Sequence, residues 1–216
     1  MRVSKAKAAD NRRRILTTAA RLFREHGIDS CGVDAITEAA GLTHGAFYSQ
    51  FASKEAVAVE AIRLALTGSQ RALDRAARGK NATNAFASIV EAYLARAHRD
   101  SPGEGCVIAA LGTDLARQPR SVREAFTKGL RESLDLLAAV VPGRGASSRY
   151  DEAIAALARL SGALMLARAV SDEALSRRIL KAAARRSYPP TRKIGATSGR
   201  RRSAARPASG EEREIR

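Results

Sequence analysis

The sequence predicts an all-α protein, with a small three-helix unit at the N-terminus and a larger helical domain behind it. Three observations carry this reading. Proline is scarce, with 6 in 216 residues, while Ala and Leu are abundant; both favour helix. Apolar residues recur at the i, i+3, i+4, i+7 spacing of amphipathic helices. The breaks fall on Gly27, Gly41, Gly79, Pro102-Gly103 and Pro142-Gly143, which are helix-stop and turn signals.

Residues 1–9, with Arg2, Lys5 and Lys7, read as a basic arm. Asp10 or Asn11 caps a helix to about His26, with Ile15, Leu16, Ala19, Leu22 and Phe23 on its inner face. The Arg12-Arg13-Arg14 cluster at its start opposes the helix dipole, a conflict that a phosphate partner would ease, although a solvated charge run explains any one of these arginines equally well. A short amphipathic helix follows over Val33 to Ala40, and Gly41 gives the freedom for a sharp turn. Thr43 caps a second short helix, with Leu42, Phe47 and Phe51 beneath it. Two helices joined by a short turn with Gly form the helix-turn-helix pattern, whose second helix enters the DNA major groove. Its outer face carries Thr43, His44, Gly45, Tyr48, Ser49 and Gln50, donors and acceptors suited to bases and phosphates. Residues 10–52 are therefore assigned as a DNA-binding domain.

Residues 53–187 form the second domain. Ser53 caps a helix to about Arg78 that joins the two parts and could carry motion between them. Asn81 or Thr83 caps a helix to about Asp100, and an apolar segment runs from Cys106 to Arg117. Ser121 caps the next helix, Arg149 to Val170 is the richest apolar stretch, and Ser171 or Asp172 caps the last helix. From Tyr188 to residue 216 Pro, Gly and Arg dominate, so a basic disordered tail is expected, either adding salt-sensitive DNA affinity or keeping the chain soluble.

The formal net charge of +16 points to a polyanionic partner such as double-stranded DNA. Two cysteines make no disulfide framework, which places the chain in a reducing cytoplasm. No apolar run reaches the roughly 18 residues of a membrane span, and no signal peptide opens the chain. His26, His44 and His98 are scattered outside any metal-ligand motif, and there is neither a phosphate-cradling Gly loop nor a nucleophile elbow. No catalytic residue, metal or cofactor is therefore assigned. A DNA-coating protein without sequence preference is the alternative that charge alone would allow, and an enzyme the more remote one.

The run Ala40-Gly41-Leu42-Thr43-His44-Gly45-Ala46-Phe47-Tyr48-Ser49-Gln50-Phe51-Ala52-Ser53-Lys54-Glu55 resembles the TetR family of bacterial transcriptional regulators, most strongly in the Tyr48/Phe51 pair and Ser53-Lys54-Glu55. The detailed match covers roughly residues 10–65. The resemblance implies phosphate contacts from Tyr48 and Lys54, base reading by Thr43, His44 and Gly45, and a homodimer on a palindromic operator. It places the dimer interface in residues 149–187 and implies release by a small-molecule inducer bound among the C-terminal helices. Gly32 departs from the usual capping Ser or Thr, and Gln50 from a common His. Phe86, Tyr93, Leu111, Phe126 and Met165 are candidate cavity residues, although plain core packing explains them as well.

Cys106 is the one chemically pointed residue of the second domain, because it opens an apolar helix whose N-terminus favours a thiolate. Gly105-Cys106-Val107 and Leu111-Gly112-Thr113-Asp114-Leu115 are similar to a Gly-Cys branch of the family, some of whose members respond to electrophiles or oxidants. Cys106 is thus a candidate sensor, with simple helix packing the other explanation.

Overall fold

In the computed structural model, which describes residues 4–143 and 145–187, the first helix starts earlier than its sequence signals predict. α1 spans Lys5–His26, because the Ser4 side chain accepts from the Lys7 N–H at 3.3 Å and the Ala-rich start contains no breaker. Residues 5–9 of the expected 1–9 arm are therefore helix. α2 is Val33–Ala39 and α3 is His44–Tyr48, with Thr43 accepting from the Ala46 N–H at 3.2 Å as anticipated. Gly41 between them has φ +61°, a conformation that other residues adopt only under strain. The Arg14 side chain reaches the carbonyls of Ala40 and Gly41 and ties this turn to α1.

The second domain begins with α4, Lys54–Ala77, capped by Ser53. α5, Ala82–Tyr93, is capped by Asn81 and stops well short of the expected Asp100. The chain bends at Leu94 and Ala95 into a separate α6, Arg96–Asp100. Tertiary contacts hold this bend: the His98 ring bonds back to the Tyr93 carbonyl at 2.7 Å, and Arg168 holds the carbonyls of His98 and Arg99. A 3-10 turn over Pro102–Glu104 leads to α7, Val107–Leu115. α8, Arg120–Ala138, starts behind Pro119, and Ser121, the expected cap, instead bonds the Glu55 carboxylate. α9 is Ala146–Ala169, and α10 is Glu173–Ser187, whose first amides bond the Asp172 carboxylate at 2.7 and 3.1 Å. The expected disordered tail, 188–216, lies outside the described residues, as does Arg2.

Two apolar clusters result. Ile15, Phe23, Ile36, Phe47, Ile62 and Leu66 join the first three helices to the start of α4, and α7 adds Val107 and Leu111. Phe86, Leu137, Leu157, Leu160, Leu164 and Leu180 form the second between α5, α8, α9 and α10. α4 and α8 pack closely because position 129 is Gly: a Cβ there would stand 3.1 Å from the Leu66 Cβ. Gly129→Val should therefore cost about 1–3 kcal/mol by overpacking, measurable as a lower urea midpoint at unchanged slope.

The first three helices are also bonded to the second domain. The Asp114 carboxylate accepts from the Ile28 N–H at 2.9 Å, and Gln118 donates to Asp29 at 3.1 Å. Arg24 of α1 donates to the Gly103 carbonyl. These bonds link α7 and the 3-10 turn to α1 and to the loop before α2.

Candidate nucleic-acid interface and ligand cavity

The helix-turn-helix face is built on one buried side chain. Phe47 has no exposure, which turns the rest of α3 outward. His44 and Gly45 stand at its exposed first turn, and a Cβ at Gly45 would touch nothing, so the backbone is open to close approach. Tyr48 is 53 % exposed, and its ring lies edge-on to His44, with centroids 5.1 Å apart. Thr43 uses its oxygen as the helix cap and keeps its hydroxyl hydrogen. Ser49 donates to the Ala46 carbonyl at 2.8 Å and accepts from Gln50 at 3.2 Å. Lys54, the first residue of α4, donates to the Asp29 carbonyl in the loop before α2 at 3.3 Å.

The two arginines separate. Arg13 is exposed and pairs only with Asp10 on its own helix. Arg12 turns inward, donating to the Gln50 carbonyl at 2.7 Å and pairing with Glu60, its guanidinium 4.1 Å from the Phe51 ring centre. It therefore ties α1 to the end of α3 and to α4. Asp34, absent from the sequence-derived set, lies 3.2 Å from His44 Nε2 and can orient that ring. Nothing in the local pattern marks it, since the contact crosses from α2 to α3.

Cys106 is buried, at 6 % exposure, and lines a cavity of about 1020 Å³ walled by α1, α4, α5, α6 and α7, with α8 and α9 each touching it. Its N–H donates to His98 Nε2 at 2.9 Å, so the ring proton sits on Nδ1 and goes to the Tyr93 carbonyl. Of the five cavity residues expected from the sequence, only Tyr93 lines this space; Phe86 and Leu111 are core, and Met165 is exposed on α9. Arg24, also in the wall, and Arg168 act electrostatically on Tyr93 or Cys106. Cys31 is buried packing, its thiol pKa raised chiefly by burial.

Burial lowers the His98 pKa below its usual 6.5, and the Arg168 charge adds to this against the bond to Tyr93. The native ring thus refuses a proton that the unfolded chain accepts. The contribution to stability is complete above about pH 6.5 and is lost as pH falls toward the native value, with a slope of at most about 1.4 kcal/mol per pH unit. Urea unfolding at pH 7.5 and 5.5 should show this loss, and His98→Gln should flatten it.

Among the described residues no helix is long and apolar enough to cross a membrane, and no group of three His, Cys, Asp or Glu is placed to hold a metal. Residues 15–61 match the family described as bacterial regulatory proteins, tetR family. No curated protein matches the chain. Among solved structures, E. coli NemR in its reduced form is similar at TM-score 0.71 and 21% identity, covering 82% of this chain and 95% of that one. A TetR-family regulator from Agrobacterium tumefaciens is similar at TM-score 0.70 and 19% identity, over 83% and 98% of the two chains. A TetR regulator from Chloroflexus aurantiacus reaches TM-score 0.70 and 22% identity, over 83% and 94%. At these identities the likeness is one of fold.

Proposed function

We propose that this chain, whose residues 15–61 match the TetR family of bacterial regulatory proteins, is a homodimeric repressor of that family that binds a palindromic operator and is released by a small molecule or by modification of Cys106. The observation that carries this reading is α3: a buried Phe47 beneath an exposed face of His44, Gly45 and Tyr48. Such a face suits insertion into a major groove, with side chains toward base edges and phosphates at the rim.

An apolar stripe on the last two helices supports the dimer. Ile154, Met165 and Leu166 of α9 and Leu175 of α10 are between 44% and 52% exposed, inside the expected interface of 149–187. A two-fold pairing through this stripe would present two α3 helices to two half-sites. The cavity supports the control step, because α1 and α4 of its wall lead into the DNA-reading unit. A ligand that prefers the non-binding shape by ~100-fold shifts the equilibrium by about 2.7 kcal/mol. Cys106 borders the same cavity, so addition of a soft electrophile to its thiol would fill that space. Footprinting on DNA upstream of the chain's own gene tests the reading. It should give a protected palindrome with half-sites about one or two helical turns apart, and uniform protection of every fragment would oppose it.

A further inference from the structure

Two polar hydrogens near the cavity have no acceptor. The Tyr93 hydroxyl is buried against the Cys106 thiol without a well-formed hydrogen bond, in a residue only 7% exposed. Arg168 gives Nε to the Arg99 carbonyl at 3.0 Å and Nη2 to the His98 carbonyl at 2.7 Å, but its Nη1 is buried and unpaired. Arg168 enters no ion pair among the described residues, so a half-buried cation stands without an anion. Such groups normally have a partner, because an unmet donor costs about 1–3 kcal/mol and an unpaired buried charge more.

The surroundings say what the partner is. Gly105, which lines the cavity, stands against Arg168, itself a residue of the neighbouring cleft beside Arg99 and Glu173: a Cβ at Gly105 would stand 2.9 Å from Arg168 Nη2 and 2.8 Å from His98 Nε2. Burial keeps the Tyr93 phenol protonated and therefore a donor. His98 has both nitrogens occupied and supplies neither a donor nor a positive charge. The rest of the wall is apolar along Leu73, Ile89 and Ile108. It is cationic at Arg71 and Arg75, which are exposed and form no ion pair among the described residues, whereas Glu104 is the acid in the wall. The lining thus suits a ligand that carries acceptors, an apolar part and a net negative charge.

We propose that the cavity binds an apolar monocarboxylate, its head group accepting the Tyr93 Oη–H with the Arg168 guanidinium as counter-charge. This deepens the reading of the cavity as the control site and rests on it for regulation, but the binding itself needs no DNA. Cys106 is a neighbour of the head group and forms no bond to it, so the site is distinct in chemistry from thiol modification.

The test is isothermal titration of the full-length protein with dodecanoate, dodecanol and dodecylammonium, all below micelle concentrations. Dodecanoate should bind at least ~10-fold more tightly than dodecanol, and dodecylammonium should not bind. Tyr93→Phe should weaken dodecanoate by about 5–10-fold while leaving the melting temperature of the free protein unchanged or higher, because the lost hydroxyl had no partner. Equal affinity for acid and alcohol, or unchanged dodecanoate affinity in Tyr93→Phe, would overturn the proposal; the latter would place the anion on surface arginines. An absent operator preference would count against the repressor reading alone, since the titration reports on the cavity regardless.

Discussion

Phe47→Ala should abolish DNA binding and remove about 3–5 kcal/mol of stability. The size of the effect follows from where this ring sits. Phe47 is wholly buried, packs at 5.2 Å against the Tyr48 ring and at 6.0 Å against Phe51, and belongs to the cluster that contains Ile15, Phe23 and Ile36. α3 has five residues, too few to persist as an isolated helix, so its position depends on this one anchor. Removing the anchor frees α3 and, through the same cluster, loosens α1 and α4. Urea unfolding followed by circular dichroism measures the loss. A decrease below about 1 kcal/mol would mean that the neighbouring side chains refill the cavity, and α3 would then not depend on Phe47.

The second large effect is expected on the exposed side of the same helix. Tyr48→Ala should weaken operator and random DNA alike, by about 10-fold, because a phosphate contact carries no sequence information. His44→Ala should cost about 1–3 kcal/mol on the operator alone and relax the preference at one base pair in each half-site. Asp34→Ala should reproduce part of the His44 effect, since Asp34 Oδ1 lies 3.2 Å from the His44 ring and restrains it. Arg12→Ala serves as the contrast. Its guanidinium is engaged with Gln50, Glu60 and the Phe51 ring, so its loss should appear as reduced stability before reduced charge on the DNA face. Competition binding at two salt concentrations separates these outcomes.

The parts legible in the sequence were those governed by local rules. Caps at Thr43, Ser53 and Asn81, the turn at Gly41 and the apolar spacing of α1 through α4 are each decided within a few residues. The buried and exposed faces of α3 followed from the same spacing, which is why Phe47 and Tyr48 could be placed on opposite sides.

The features that escaped depend on residues far apart in the chain. The end of α5 at Tyr93 is enforced by His98 and by Arg168 of α9, and no break signal stands at Leu94-Ala95. The inward turn of Arg12 was not legible, because its partners Gln50 and Glu60 lie 38 and 48 residues away. Ser121 has cap chemistry at the right place, yet the Glu55 carboxylate competes for its hydroxyl. The cavity residues were legible only as apolar or aromatic positions at helical spacing, a pattern that core residues such as Phe86 share. What sets Tyr93 apart is a hydroxyl without a partner, and only the packed structure reveals that.

The central claim is that α3 reads sequence, and the most direct measurement is fluorescence anisotropy of the full-length protein on DNA from upstream of its own gene, against scrambled competitor. A repressor of this build should prefer its site by at least ~10³-fold, and His44→Ala should take about 1–3 kcal/mol off that preference while Tyr48→Ala leaves it unchanged. Equal affinity for both DNAs across the whole upstream region, with a steep fall in added salt, would contradict the account and assign the +16 charge to coating of DNA without regard to sequence.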